Sequence, residues 1–169
     1  MIKKFLAAVL VAMPVCASAN VTYTAITAPY QTVSGSYTTS MGIKFQFVTP
    51  SALPINLAYG PYAGTILSWQ AFDGIATLTN TSPGVALSMY LSTNPFGAIN
   101  QYSINAYTGT INMLFSFDGT VSTSSPSGTG YALGSATWTS SSAVPEPASA
   151  FLFIGGLAAW GARRKFAAA

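Results

Sequence analysis

The chain has 169 residues, room for one modest domain once its terminal segments are set aside. Only 5% of it is charged, it has no histidine, and Cys16 is its single cysteine, which excludes Ser-His-Asp and Cys-His nucleophile systems and zinc centres. The net charge of +3 belongs to the ends: Lys3 and Lys4 give +2, Glu146 against Arg163, Arg164 and Lys165 gives +2, and Lys44, Asp73 and Asp118 between them give −1, so there is no basic surface for nucleic acid.

The first nineteen residues predict a signal helix. Lys3 and Lys4 form a charged start, Phe5 to Val15 an apolar run, and Ala17-Ser18-Ala19 an A-x-A site, so signal peptidase is expected to cut before Asn20. Val15 is the wrong neighbour for a lipidated Cys16, because a lipoprotein signal needs a small residue there. Cleavage after Ala19 removes Cys16 and leaves a mature chain without a disulfide.

Residues 20–139 predict an antiparallel β-sandwich. Ile43, Phe45 and Phe47 alternate with Lys44 and Gln46, which sets three apolar side chains on one face of a strand. Ile111, Met113, Phe115 and Phe117 alternate in the same way, and these seven residues are the expected core. Val21 to Thr27, Ile75 to Asn80, Val85 to Leu91, Ile99 to Tyr107 and Tyr131 to Thr139 are further strand candidates, rich in Thr, Tyr and Ile. Breaks such as Asn94-Pro95-Phe96-Gly97 separate them.

The middle contains an echo. Tyr62-Ala63-Gly64-Thr65-Ile66 leads after five residues to Phe72-Asp73-Gly74, and Tyr107-Thr108-Gly109-Thr110-Ile111 leads after five to Phe117-Asp118-Gly119. An Asp-Gly pair between alternating runs is a strong hairpin signal, and two hairpins suit the two halves of a sandwich. The Ser/Thr/Gly-rich stretches Ser122 to Gly130 and Ser140 to Ala143 are expected to be a long loop and part of a linker over 140–144.

Residues 145–169 predict a targeting tail. Pro145 and Pro147 force an extended entry around Glu146. Ala148 to Ala162 carries no charge and predicts a single transmembrane helix, about 22 Å long at 1.5 Å per residue against a hydrocarbon core of about 30 Å. Arg163, Arg164 and Lys165 then stop it. Cations at both ends favour the cytoplasmic side, which puts the chain between them across the inner membrane.

Val144-Pro145-Glu146-Pro147, the apolar run and Arg163-Arg164-Lys165, in that order, resemble the PEP-CTERM sorting signal. The resemblance covers about the last 25 residues. It implies a Gram-negative host that makes exopolysaccharide. It also implies an exosortase, a membrane-embedded cysteine protease that recognises the Pro-Glu-Pro region and removes the tail after transient anchoring in the inner membrane.

The expected function is that of an exported, non-catalytic protein of the cell surface or the exopolysaccharide matrix of a biofilm, structural or adhesive, with no cofactor and no metal. The aromatics Trp69, Trp138, Tyr59, Tyr62, Tyr90, Tyr102 and Tyr107 are expected to lie mostly in the core, with some left exposed to stack on sugar rings. The alternative is a glycoside hydrolase or carbohydrate-binding module. A hydrolase would have Asp73 and Asp118 as its carboxylate pair, although Asp-Gly turns account for both residues.

Overall fold

The structure, a computed structural model, describes residues 19–142. The expected signal helix, the expected transmembrane helix and the residues Ala17, Val144, Pro145, Glu146, Pro147, Arg163, Arg164 and Lys165 lie outside the described residues. What is described is all-β and antiparallel, without a helix. Twelve strands follow one another: β1 (Val21–Ile26), β2 (Thr32–Val33), β3 (Lys44–Thr49), β4 (Gly60–Pro61), β5 (Ser68–Phe72), β6 (Thr77–Thr79), β7 (Ala86–Thr93), β8 (Ile99–Tyr107), β9 (Asn112–Ser116), β10 (Thr120–Ser125), β11 (Gly128–Leu133) and β12 (Thr137–Ser142).

They form two sheets. One has the order β12-β1-β3-β5-β6; the other has the order β2-β11-β10-β9-β8-β7-β4. In the second, β7 to β11 form a meander of consecutive hairpins, and the two-residue strands β2 and β4 close its edges.

Alternation explains the shared core. Phe45 and Phe47 point inward from β3, while Lys44 points out. Met113 and Phe115 do the same from β9. The sheets meet through these rings: Phe45 and Phe115 lie 5.8 Å apart, Phe115 and Trp138 6.3 Å, and Tyr102 and Trp138 5.5 Å. Tilted and edge-on pairs at such distances add to the stabilisation from area burial alone.

Of the seven expected core residues, Ile43, Phe45, Phe47, Met113 and Phe115 are buried, and Ile111 packs against the cluster from its margin. Phe117 departs from the expectation. Strand β9 ends at Ser116, and Phe117 is 42% exposed although its N–H still bonds Tyr102 O. The turn that follows breaks the alternation one residue early.

Ser122 to Gly130 is no loop. It forms the end of β10 and the start of β11, paired from Thr120↔Leu133 to Ser125↔Gly128. Val121 and Thr123 face the core while Ser122 and Ser124 face away, an alternation hidden by the run of small hydroxyl residues. Ser140, Ser141 and Ser142, read as linker, pair in β12 with Tyr23, Thr22 and Val21. The two ends of the described chain are therefore strand neighbours, Val21 opposite Ser142.

Candidate functional site

Both Asp-Gly pairs stand at hairpin tips, Asp73 between β5 and β6 and Asp118 between β9 and β10. Gly74 and Gly119 adopt φ of 102° and 92°, a region open to glycine and costly for other residues. The surroundings of the two carboxylates differ completely.

Asp73 is fully buried. Its Oδ1 accepts the N–H groups of Ile75 and Ala76 at 3.0 and 2.7 Å. Its Oδ2 accepts the Tyr37 hydroxyl at 2.6 Å and the Thr123 hydroxyl at 2.6 Å. Those four donors use up the roughly four acceptor positions of a carboxylate. The Tyr30 hydroxyl donates to the backbone carbonyl of Asp73 at 3.2 Å. Thr123 belongs to the opposite sheet and Tyr37 to the β2–β3 connection, so Asp73 joins three parts of the fold. Burial, with the Asp73 charge as a second cause, pushes the Tyr30 phenol well above its ordinary value. Burial and the hydrogen bond to Asp73 raise that of Tyr37.

Asp118 is exposed. Its Oδ1 accepts the Ser116 hydroxyl and, at 3.0 Å, the Thr120 N–H. The Ser116 hydroxyl and then the Thr120 N–H hold its carboxyl below the ordinary value. A glycosidase needs two carboxyl groups facing one open cleft. Asp73 has no exposed surface and no free acceptor, so the pair is not assembled.

The aromatic residues divide. Trp69 and Tyr102 are buried, and Trp138 and Tyr62 are half-buried. Tyr59, Tyr90 and Tyr107 are exposed. Tyr59 reaches Tyr90 with ring centroids 6.2 Å apart and Phe117 at 5.8 Å, so three exposed rings form one cluster on the outer side of the seven-stranded sheet. Phe117 was the ring missed in the sequence, because its alternation assigned it to the core.

The register sets polar groups beside the cluster. Tyr90 is opposite Ser103, and Ser103 is opposite Ser116. Two residues along β7, the buried Ser92 hydroxyl donates to Asn100 Oδ1 at 2.8 Å, with Gln101 Oε1 at 3.3 Å, which holds these two exposed amides in place. Neither Lys44 nor Asp73 lies on this sheet, and Asp118 occupies the turn next to Phe117. The surface offers ring faces, amides and hydroxyls with almost no charge. That chemistry suits a neutral polyol; it offers no cation to a phosphate or a uronate.

A depression of about 430 Å³ lies near β4, lined by Pro50, Pro54, Leu57, Pro61 and Tyr62 among others. It contains no carboxylate and no basic group.

Comparison with known families finds the PEP-CTERM protein-sorting motif at residues 143–165, immediately after the last residue of β12. The match takes in Val144 to Pro147 and Arg163 to Lys165. The motif implies an exported chain that is anchored at the membrane for sorting and processed by an exosortase. No curated protein and no solved structure matches the chain.

Proposed function

We propose that this is a non-catalytic constituent of the cell surface or exopolysaccharide matrix, delivered by a signal peptide and a sorting tail that are both removed. The observation that carries the reading is the sorting motif at 143–165. In it, Val144 to Pro147 form the recognition element and Arg163, Arg164 and Lys165 the stop that keeps the apolar run in the inner membrane.

Two features of the fold support it. Strand β1 starts at Val21, so cleavage by signal peptidase after Ala19 leaves the whole strand in the mature chain. Val21 also pairs with Ser142, so both targeting segments depart from adjacent strand ends, about 5 Å apart at ordinary strand spacing. A precursor held at both ends by one membrane needs its exits on one side of the domain, and this pairing provides that.

The role is structural or adhesive. The Tyr59–Tyr90–Phe117 cluster favours contact with a neutral glycan as the specific second reading, that of a carbohydrate-binding module.

The test is processing and retention in an exosortase-bearing host. The Glu146→Ala precursor should stay membrane-bound and uncleaved, and the tail-deleted chain should appear in filtered medium. Processing of Glu146→Ala at the wild-type rate overturns the recognition role. Wild-type protein free in the medium and not retained by the host's exopolysaccharide overturns the matrix role. Loss of retention in Tyr59→Ala with Tyr90→Ala, in a protein that still folds, supports the glycan reading.

A further inference from the structure

The two sheets have four edges, and they are not treated alike. Three are short: β6 has three residues, β2 has two, and β4 has two, one of them Pro61. Short edge strands and prolines are the usual means by which sheets avoid pairing with other chains. The fourth edge, β12, has six residues in unbroken register with β1, from Thr137↔Ile26 to Ser142↔Val21. It contains no proline, no charge and no bulge. Among the described residues no strand lies on its other side.

We propose that the mature protein pairs with a second copy of itself along β12, antiparallel about a two-fold axis, so that the two five-stranded sheets become one of ten strands. The proposal rests on the reading that both targeting segments are removed. Cleavage before Asn20 and near the sorting motif leaves little beyond the described residues, so the chain keeps no segment of its own to cover this edge. The occupant must come from another molecule.

A second copy fits by chemistry. An antiparallel edge is self-complementary, because each strand offers the other the same row of N–H and C=O groups. Pairing Thr137-Trp138-Thr139-Ser140-Ser141-Ser142 with itself sets Thr and Ser opposite Thr and Ser, with Trp138 the one larger residue. Such hydroxyl pairs are favourable, and no like charges meet. The three short edges prevent further growth, so association stops at two.

The test uses mature protein recovered from an exosortase-bearing host, with both termini read by mass spectrometry. Sedimentation over a concentration series should show a species of twice the monomer mass and nothing larger. Thr139→Lys with Ser141→Lys should shift it to monomer, while Thr77→Lys on β6 should not. The mature chain has no cysteine, so single cysteines read the geometry directly. Oxidised dimer should peak at one position of a scan across Thr137→Cys to Ser142→Cys and be absent for Thr77→Cys.

A monomer at every concentration, whatever its termini, overturns the pairing. So does a dimer that ignores the β12 lysines, or growth beyond two copies. Unprocessed termini on a protein that still dimerises through β12 overturn the processing reading alone.

Discussion

Asp73 and Asp118 occupy the same local sequence, Phe-Asp-Gly at the tip of a two-strand hairpin, and end in opposite surroundings. One carboxylate is sealed among four donors from three parts of the fold. The other bonds only to its own turn and faces water. The hairpin on the five-stranded sheet is thus a fastener between layers, and the hairpin on the seven-stranded sheet is a turn. Local chemistry selects the Asp-Gly tip in both; the packing around it decides whether the carboxylate carries tertiary structure.

Substitution separates the two aspartates most directly. Asp73→Ala leaves two hydroxyls and two N–H groups without their acceptor in a buried place, at about 1–3 kcal/mol for each group that stays unpaired. Urea unfolding should register a loss of roughly 3–5 kcal/mol, in the range reserved for broken buried networks. Asp118→Ala should cost a small fraction of that. Equal losses in the two variants would remove the distinction.

The glycines test the same difference in backbone terms. Gly74→Ala and Gly119→Ala share a positive φ, which costs about 1–3 kcal/mol of strain in either. At Gly74 an added Cβ also falls 2.7 Å from Met41 Cγ, whereas at Gly119 the nearest atom is Gly134 N at an ordinary 3.5 Å. Thermal melts should therefore rank Gly74→Ala below Gly119→Ala.

Alkaline pH addresses the buried site through its tyrosines. Tyr30 and Tyr37 are raised in the folded state, so the unfolded chain ionises first, from about pH 10. Their contribution is complete below that pH and lost as pH rises above it. Melting temperature should fall from about pH 10 upward, and less steeply in Tyr37→Phe.

Acid addresses the exposed turn and should give the smallest effect. Asp118 is depressed below its ordinary 3.8. Its contribution is present above that value and lost as pH falls through the folded one. Asp118→Asn should flatten the acid limb of the stability profile slightly and leave pH 7 almost unchanged.

Much of the fold was legible. The alternation at Ile43, Phe45 and Phe47 and at Met113 and Phe115 placed two central strands, and both Asp-Gly turns stand where the sequence put them. Strand β8 covers the segment expected for it, Ile99–Tyr107. What escaped were segments without apolar contrast. Val121 and Thr123 point inward through a serine-rich run that reads as loop, and Ser140 to Ser142 are held by backbone pairing that no side-chain pattern announces. Phe117 was assigned inward because alternation carries no information about where a strand stops.

The sequence by itself determined the sorting motif at 143–165, because a short motif, an apolar run and a basic stop are read locally and in order. It determined the all-β class through a period of two that survives in any arrangement of the strands. Only the tertiary structure decided which aspartate is buried, which rings meet at the surface and which edge is left open. Each of those depends on residues far apart in sequence: Tyr37, Asp73 and Thr123 converge across 86 positions, Tyr59 meets Phe117 across 58, and β12 closes against β1 from the opposite end of the domain. Contacts of that kind arise from the order of strands within each sheet and from how the two layers stack, and no local pattern encodes them.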